Sequence, residues 1–184
     1  MRIVGGTARG RPLATPRAAD VIRPTADRVR ETLFNVLGQR CDGLSVLDLY
    51  AGTGALGLEA VSRGASAAVL VDRGREALTL CRDNARALGF AGQVEILASD
   101  ALAAIAQLGR SGRSFELVFA DPPYRLQVGE AVLTALTDAK LVPEGGVVVL
   151  EVGEDEVLPE RSADFTRIDQ RRFGATTVCL YRAG

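Results

Sequence analysis

Histidine is absent from the 184 residues of this sequence, and lysine occurs only once, at Lys140. Without histidine, neither a Ser-His-Asp triad nor a Cys-His pair can form, and a metal site with histidine ligands is excluded as well. A side chain that accepts a proton in catalysis must therefore be a carboxylate, a tyrosine or a lysine. We expect no metal cofactor.

Cysteine is scarce and scattered, and Cys41, Cys81 and Cys179 form no closely spaced pair. An odd, unclustered set favours buried thiols in a reducing compartment over a disulfide framework or a zinc site. Long apolar runs are also missing: the run at 147–150 has four residues, whereas a membrane-crossing helix needs about 20. The N-terminal segment lacks the apolar stretch of a secretory signal. We therefore expect a cytoplasmic protein with no membrane partner.

Positive charge is concentrated near the N-terminus. Residues 1–30 contain seven arginines and two aspartates, a balance of +5, although the whole chain has a net charge of −1. Residues 1–23 are rich in glycine, arginine and proline, and predict a basic arm or hairpin ahead of one domain over 24–184.

Arginine presents a planar fork that suits phosphates, so the arm favours RNA as a partner. Alternatively, some of these arginines pair with acidic side chains of the same chain. The candidate RNA contacts are Arg9, Arg11, Arg23, Arg28 and Arg30.

Helical and strand patterns alternate along the rest of the chain. A first helix is predicted from about residue 25 to 37. Five apolar runs predict buried strands: 44–50, 67–72, 93–100, 115–121 and 145–152. Four helical patterns follow the first four of these runs: 54–63, 75–88, 101–108 and 127–139. Two last β-runs, near 164–172 and 175–182, are so close that they must form a hairpin.

This alternation predicts an α/β fold, because parallel strands are joined by right-handed helical crossovers. We expect a doubly wound, Rossmann-like sheet of seven strands with helices on both faces. The sheet should be mostly parallel, with one strand of the C-terminal hairpin running opposite to the rest.

The first strand leads into a glycine-rich turn. Gly52, Gly54 and Gly57 satisfy G-x-G-x-x-G, and Asp72 ends the next strand at a spacing that suits a ribose-binding carboxylate. A dinucleotide would place its anionic pyrophosphate at this turn, where Asp48 would oppose it. S-adenosylmethionine instead carries cationic sulfonium and amino groups, which a carboxylate favours. The loop therefore favours S-adenosylmethionine, with NAD as the alternative.

The third strand ends at Asp100, which can reach the adenine amino group of the same cofactor or cap the following helix. Both roles are compatible. The candidate cofactor-binding residues are Asp48, Tyr50, Ala51, Gly52, Thr53, Gly54, Asp72, Arg73, Asp100 and Ala101.

The fourth strand ends in Asp121-Pro122-Pro123-Tyr124, the most specific motif of the chain. The prolines fix the backbone, so the Asp121 carboxylate and the Pro122 carbonyl can form a pair of acceptors for an –NH2 group. Asp121 would stabilise the charge that develops on the nitrogen and take its proton, while Tyr124 stacks on the base. The predicted reaction is methylation of an exocyclic amino group. The alternative is a proline-rich turn in which the tyrosine only packs.

Three segments resemble the RsmD family of class I methyltransferases: RPTADRVRETLFN at 23–35, LDLYAGTGALGLEAVSRGA at 47–65 and DPPY at 121–124. The resemblance implies a Rossmann-like methyltransferase with S-adenosylmethionine as donor and S-adenosylhomocysteine as product. It also implies guanine N2 in 16S ribosomal RNA as the target, within an assembled or partly assembled small subunit. Tyr50 and Thr53 depart mildly from the loop of the family. We expect a monomer.

Three other functions stay open at this point. The first is methylation of a different amine, such as adenine N6 or a glutamine side-chain amide. The second is a nicotinamide oxidoreductase, although Asp48 and the Asp121-Pro122-Pro123-Tyr124 motif would then be unexplained. The third is a non-catalytic RNA-binding assembly factor that has the methyltransferase fold.

Overall fold

The computed structural model describes residues 1–16, 24–123 and 126–184. In these ranges the helices are Pro24–Val36 (α1), Ala55–Ser62 (α2), Arg75–Leu88 (α3), Ala101–Arg110 (α4) and Gly129–Asp138 (α5). The strands are Ser45–Leu49 (β1), Ala67–Asp72 (β2), Val94–Ala98 (β3), Leu117–Ala120 (β4), Val147–Gly153 (β5), Arg161–Ser162 (β6), Phe165–Phe173 (β7) and Thr176–Ala183 (β8).

The strands form one sheet in the order β3-β2-β1-β4-β5-β8-β7-β6. Strands β1 to β5 are parallel, and β8 is inserted antiparallel between β5 and β7. The predicted mostly parallel sheet with a reversed hairpin strand is therefore confirmed. The described residues form a sheet of eight strands, not the predicted seven. The additional strand is the two-residue β6, antiparallel to β7 at the sheet edge, which was not predicted because so short a strand leaves no periodic signal.

Apolar side chains of the central strands alternate between two cores, one on each face of the sheet. Leu47 and Val118 face α4 and α5, whereas their neighbours Val46 and Leu117 face α1, α2 and α3. A parallel sheet covered on both faces produces such near-continuous apolar strands.

The described part of the N-terminal arm folds back on itself and is anchored to the domain. An antiparallel bridge joins Arg2 to Pro12, and Ile3, Ala8 and Leu13 are buried in the core beneath α1, α2 and α3. The apolar residues of the arm thus hold it in place, and its polar residues lie around them.

The strand order changes direction between β1 and β4. In such sheets, ligands bind in the crevice outside the carboxyl ends of the strands, at the point where the order reverses. Asp48, Asp72, Asp121 and Glu151 all lie near the carboxyl ends of their strands. No helix in the described part of the chain is long and apolar enough to cross a membrane.

Candidate active site

Two adjoining cavities open at the carboxyl edge of the sheet. The larger, of about 440 Å³, is lined by the glycine loop, α1, β5 and the β7–β8 hairpin. The smaller, of about 170 Å³, is lined by the ends of β2 and β3. Tyr50 and Asp121 line both cavities, so the two spaces meet at these side chains.

Asp72 and the glycine loop are held together by hydrogen bonds. One carboxylate oxygen of Asp72 accepts from the backbone N–H of Gly52 at 2.9 Å, and the other accepts from Gly74 at 2.7 Å. Gly52 has a φ of +57°, and an added Cβ would meet only the carbonyl oxygen of Tyr50, at 4.0 Å. The chain therefore leaves open space at Gly52, where a ligand can approach the backbone.

The other two glycines of the motif serve packing instead. A Cβ at Gly54 or Gly57 would come within 2.9 or 2.3 Å of the side chain of Leu70 on β2. Gly54 is buried and does not line either cavity within the described residues. Gly54 was predicted to bind the cofactor, but in the structure Gly54 and Gly57 allow the close approach of α2 to the sheet.

Asp48 is buried beneath the loop, with 2% of its surface exposed. One of its carboxylate oxygens accepts from the Gly57 N–H at 2.8 Å, yet the residue also lines the larger cavity. Burial raises the pKa of Asp48 to about 7, and the hydrogen bond from Gly57 only partly offsets this. A cationic group in the cavity would favour the ionised form.

The smaller cavity contains most of the remaining predicted cofactor residues: Asp72, Arg73, Asp100 and Ala101. Asp100 caps α4, since its side chain accepts from the Leu102 N–H at 3.0 Å. Its second carboxylate oxygen lies 3.9 Å from the guanidinium of Arg73. The cap uses only one oxygen, so Asp100 keeps acceptor capacity toward the cavity.

Asp121 lies where the two cavities meet, and Pro123 lines the smaller one. Pro122 is buried and is not among the described residues that line either cavity. Tyr124 lies outside the described residues. The carboxyl group of Asp121 is accessible from the cleft but closely surrounded by protein. This desolvation, followed by the charges of Glu151 and Asp48, raises its pKa to about 8.

Several residues that line the larger cavity were not anticipated from the sequence. Val29 and Leu33 of α1, Glu151 of β5 and Phe173 of β7 form much of its wall. Glu151 could have been found, since it is an acid near the carboxyl end of a strand, as Asp48 and Asp72 are. The apolar wall residues had no such signal, because their spacing is that of ordinary core positions. Among the described residues, no group of three or more Cys, Asp or Glu side chains could hold a metal ion.

The predicted RNA-binding arginines fall into different environments. Arg9 and Arg28 are exposed and flank the same surface depression. Arg11 donates to the carbonyl oxygens of Ala87 and Leu88 at the end of α3, which anchors the arm. Arg23 lies outside the described residues.

Arg30 is 4% exposed, so its environment does not match a phosphate ligand at the surface. Its guanidinium bonds to Glu59, to Asp27 and to the carbonyl oxygen of Arg2. Pairing with acids of the same chain, the alternative for these arginines, is what the structure shows here.

The order of strands and the acid-lined cleft define a Rossmann-like protein with the fold of class I methyltransferases. A family model described as "Conserved hypothetical protein 95" matches residues 1–182. Ribosomal RNA small subunit methyltransferase D of Escherichia coli is 35% identical over 99% of this chain and 89% of its own length. The chain therefore belongs to this family, the RsmD family, as the sequence resemblance indicated.

Solved structures agree on the fold. The structure of yhhF from Escherichia coli has a TM-score of 0.87 and 33% identity, covering 100% of this chain and 97% of that one. SMU.776, solved in complex with SAH, shares the fold at 15% identity, with a TM-score of 0.68 over 88% of this chain and 50% of that one.

Proposed function

We propose that this protein transfers a methyl group from S-adenosylmethionine to the N2 amino group of a guanine in bacterial 16S ribosomal RNA. The observation that carries the proposal is the position of Asp121 at the junction of the two cavities. A carboxylate there can contact an amine in the larger cavity while the smaller cavity holds the nucleoside part of the donor.

The residues of the smaller cavity fit S-adenosylmethionine. Ribose hydroxyls and an adenine amino group are hydrogen-bond donors, and Asp72 and Asp100 present carboxylate acceptors around this space. The open side of Gly52 and the carboxylate of Asp48 lie along the path to the larger cavity. An anionic pyrophosphate would meet Asp48 at the same place, which disfavours NAD. When bound, S-adenosylmethionine supplies an electrophilic methyl group on a sulfonium.

Asp121 acts on the amine of the base. The lone pair of an exocyclic amine is delocalised into the ring, and a carboxylate that holds one of its hydrogens orients the nitrogen for attack. As the new C–N bond forms and the C–S bond breaks, the nitrogen becomes positive and Asp121 stabilises that charge. The surplus proton passes from nitrogen to Asp121, which must be in its ionised form when the amine binds; its raised pKa then makes it a stronger base.

The arm and α1 provide the RNA-facing side in this proposal. Arg9 and Arg28 are exposed beside one depression, and α1 continues from Arg28 to the cavity residue Val29. Phosphate contacts by such arginines position the RNA, whereas contacts in the cavity select the base. We further propose that the protein acts in the cytoplasm, as a monomer, on an assembled or partly assembled small subunit. The name of the Escherichia coli relative supports small-subunit ribosomal RNA as the substrate.

Nucleoside analysis tests the proposal directly. Small-subunit RNA or particles lacking the modification are incubated with the protein and isotopically labelled S-adenosylmethionine, and the digested nucleosides are identified by mass spectrometry. We expect labelled N2-methylguanosine. Labelled N6-methyladenosine would instead indicate an adenine methyltransferase, and absence of any labelled nucleoside would contradict the enzymatic role.

A substitution at residue 121 tests the role of its carboxylate. Asp121→Ala should lower kcat by about 100-fold or more, because it removes charge stabilisation and the proton acceptor together. The matched control is Asp138→Asn, which removes an exposed carboxyl at the far end of α5 and should keep full activity. A fully active Asp121→Ala protein would refute this mechanism.

A further inference from the structure

Glu151 lines the larger cavity near the end of β5, and the reaction described above does not use it. In the parallel pairing of β4 with β5, Ala120 is opposite Leu150. The next residue on each strand is an acid, Asp121 on one and Glu151 on the other. Paired strands are about 4.8 Å apart, so the two acids occupy neighbouring positions on adjacent strands, and both line the larger cavity.

Electrostatics agrees with this geometry. The charge of Glu151 is one of the causes that raise the pKa of Asp121, second only to desolvation. The two acids are therefore close enough for the charge of one to affect the other, and a ligand that donates hydrogen bonds to both would relieve their repulsion.

A base with two adjacent N–H donors would match the two carboxylate acceptors, Asp121 and Glu151. The Watson–Crick edge of guanine carries the N2 amino group and, directly beside it, N1–H. Adenine carries its amino group beside N1, which has a lone pair and no hydrogen. When both acids are ionised they only accept hydrogen bonds, and the two N–H groups of guanine favour that state because they offset the repulsion between the carboxylates. The lone pair at N1 of adenine would face a carboxylate instead, so the ionised pair favours guanine over adenine.

We propose that Glu151 accepts the N1–H of the target guanine while Asp121 holds the N2 amino group, so that Glu151 determines the choice of base. This inference rests on the proposed function and specifies how its site selects a substrate. The apolar side chains of Val29, Leu33 and Phe173 wall the same cavity and offer contact for the faces of the base. The carboxylate pair also fixes the orientation of the ring, because N3, on the other side of N2, is an acceptor that Glu151 would repel.

The test compares two substrates and two proteins. RNA is prepared with either guanine or 2-aminopurine at the position that the wild-type protein methylates. 2-Aminopurine keeps the amino group at C2 but has a lone pair at N1. Glu151→Gln keeps the shape of the side chain, removes its charge and gains an N–H that can donate to that lone pair.

For the guanine substrate, we expect kcat/KM of Glu151→Gln to fall by about tenfold or more, because a site built to bind N1–H loses its acceptor. The preference for guanine over 2-aminopurine should also fall by about tenfold or more relative to wild type. This ratio is independent of the fraction of folded protein, since both substrates meet the same preparation. Glu151→Asp, which keeps the charge, should retain the guanine preference.

The matched control is Glu154→Gln, which removes an exposed carboxyl in the turn after β5 and should behave as wild type. Stabilisation by S-adenosylhomocysteine in thermal unfolding should be equal in wild type and Glu151→Gln.

If the wild-type protein forms N2-methylguanosine, any of three results for Glu151→Gln overturns the inference. These are an unchanged kcat/KM for the guanine substrate, an equal loss of kcat/KM on the guanine and 2-aminopurine substrates, or a loss of S-adenosylhomocysteine binding. If the wild-type protein forms no N2-methylguanosine, the proposed function itself fails and this inference fails with it.

Discussion

Asp48 and Asp121 are the two carboxyl groups of the site whose protonation the protein alters most clearly. Both have pKa values raised chiefly by desolvation, to about 7 and about 8. Asp48 is the deeper of the two and holds the Gly57 N–H. Burial therefore disfavours the ionised forms of both carboxyl groups, and a cationic ligand in the cleft would favour them.

The stability of the ligand-free protein should consequently depend on pH. Between about pH 4 and 7 the folded state binds a proton at Asp48 that the unfolded state has lost, so the free energy of unfolding falls as pH rises. A single such group contributes a slope of up to about 1.4 kcal/mol per pH unit. Urea denaturation at several pH values should show this decline, to which Asp121 adds. Asp48→Asn should flatten it, and equal slopes in the two proteins would contradict the assignment.

At the scale of elements, α2 joins the N-terminal arm to the glycine loop. Glu59 of α2 is 0% exposed and accepts from the backbone N–H groups of Val4 and Gly5 at 2.8 and 2.7 Å. It also pairs with Arg30 at 3.3 Å and Arg63 at 2.8 Å. One buried carboxylate therefore holds the arm, α1 and α2 together.

Removing this carboxylate should cost much of the stability of the protein. Glu59→Gln removes the acidic partner of Arg63 and leaves Arg30 with Asp27 alone, and it should lower the free energy of unfolding by about 3–5 kcal/mol. Chemical denaturation measures the loss. The control Glu95→Gln breaks the exposed pair with Arg113, which is 2.9 Å long, and should cost at most about 1 kcal/mol. A loss at residue 59 no larger than this control would show that the network contributes little.

At the scale of the whole molecule, charge is distributed asymmetrically. Residues 1–30 carry a balance of +5 in a chain of net charge −1. Part of that positive charge is used internally, by Arg30 with Glu59 and Asp27 and by Arg11 at the end of α3. The exposed arginines Arg9 and Arg28 remain available to a polyanion.

RNA affinity should respond to those two arginines in a salt-dependent way. Arg9→Gln and Arg28→Gln should each reduce the slope of log Kd against log salt by about 1. Each substitution removes one arginine–phosphate contact, and each such contact releases about one counterion from the RNA. Filter binding or anisotropy over a range of salt concentrations provides the slopes. Arg110→Gln, at the exposed end of α4, changes the charge equally and should leave the slope as in wild type. An unchanged slope in a variant that carries both Arg9→Gln and Arg28→Gln would show that the RNA binds elsewhere on the protein.

Local sequence patterns predict the secondary structure of this protein better than its long-range contacts. The bounds of β2 and α3 agree with their predicted ranges, since apolar periodicity and end signals such as Gly89 are local. Strand-end acids were also found locally, because every parallel strand brings its carboxyl end to the same edge. The burial of Arg30 was missed, since its partner Glu59 is 29 residues away in the chain.

The sequence by itself therefore determined the strand–helix alternation, the glycine turn and the acids at the strand ends. All of these depend on interactions within a few residues. Only the tertiary structure decided that Asp121 and Glu151 line the same cavity, that Phe173 and α1 form part of its wall, and that the arm is part of the core. These contacts join segments far apart in the chain, and their geometry is set by strand order and packing, which no local pattern encodes.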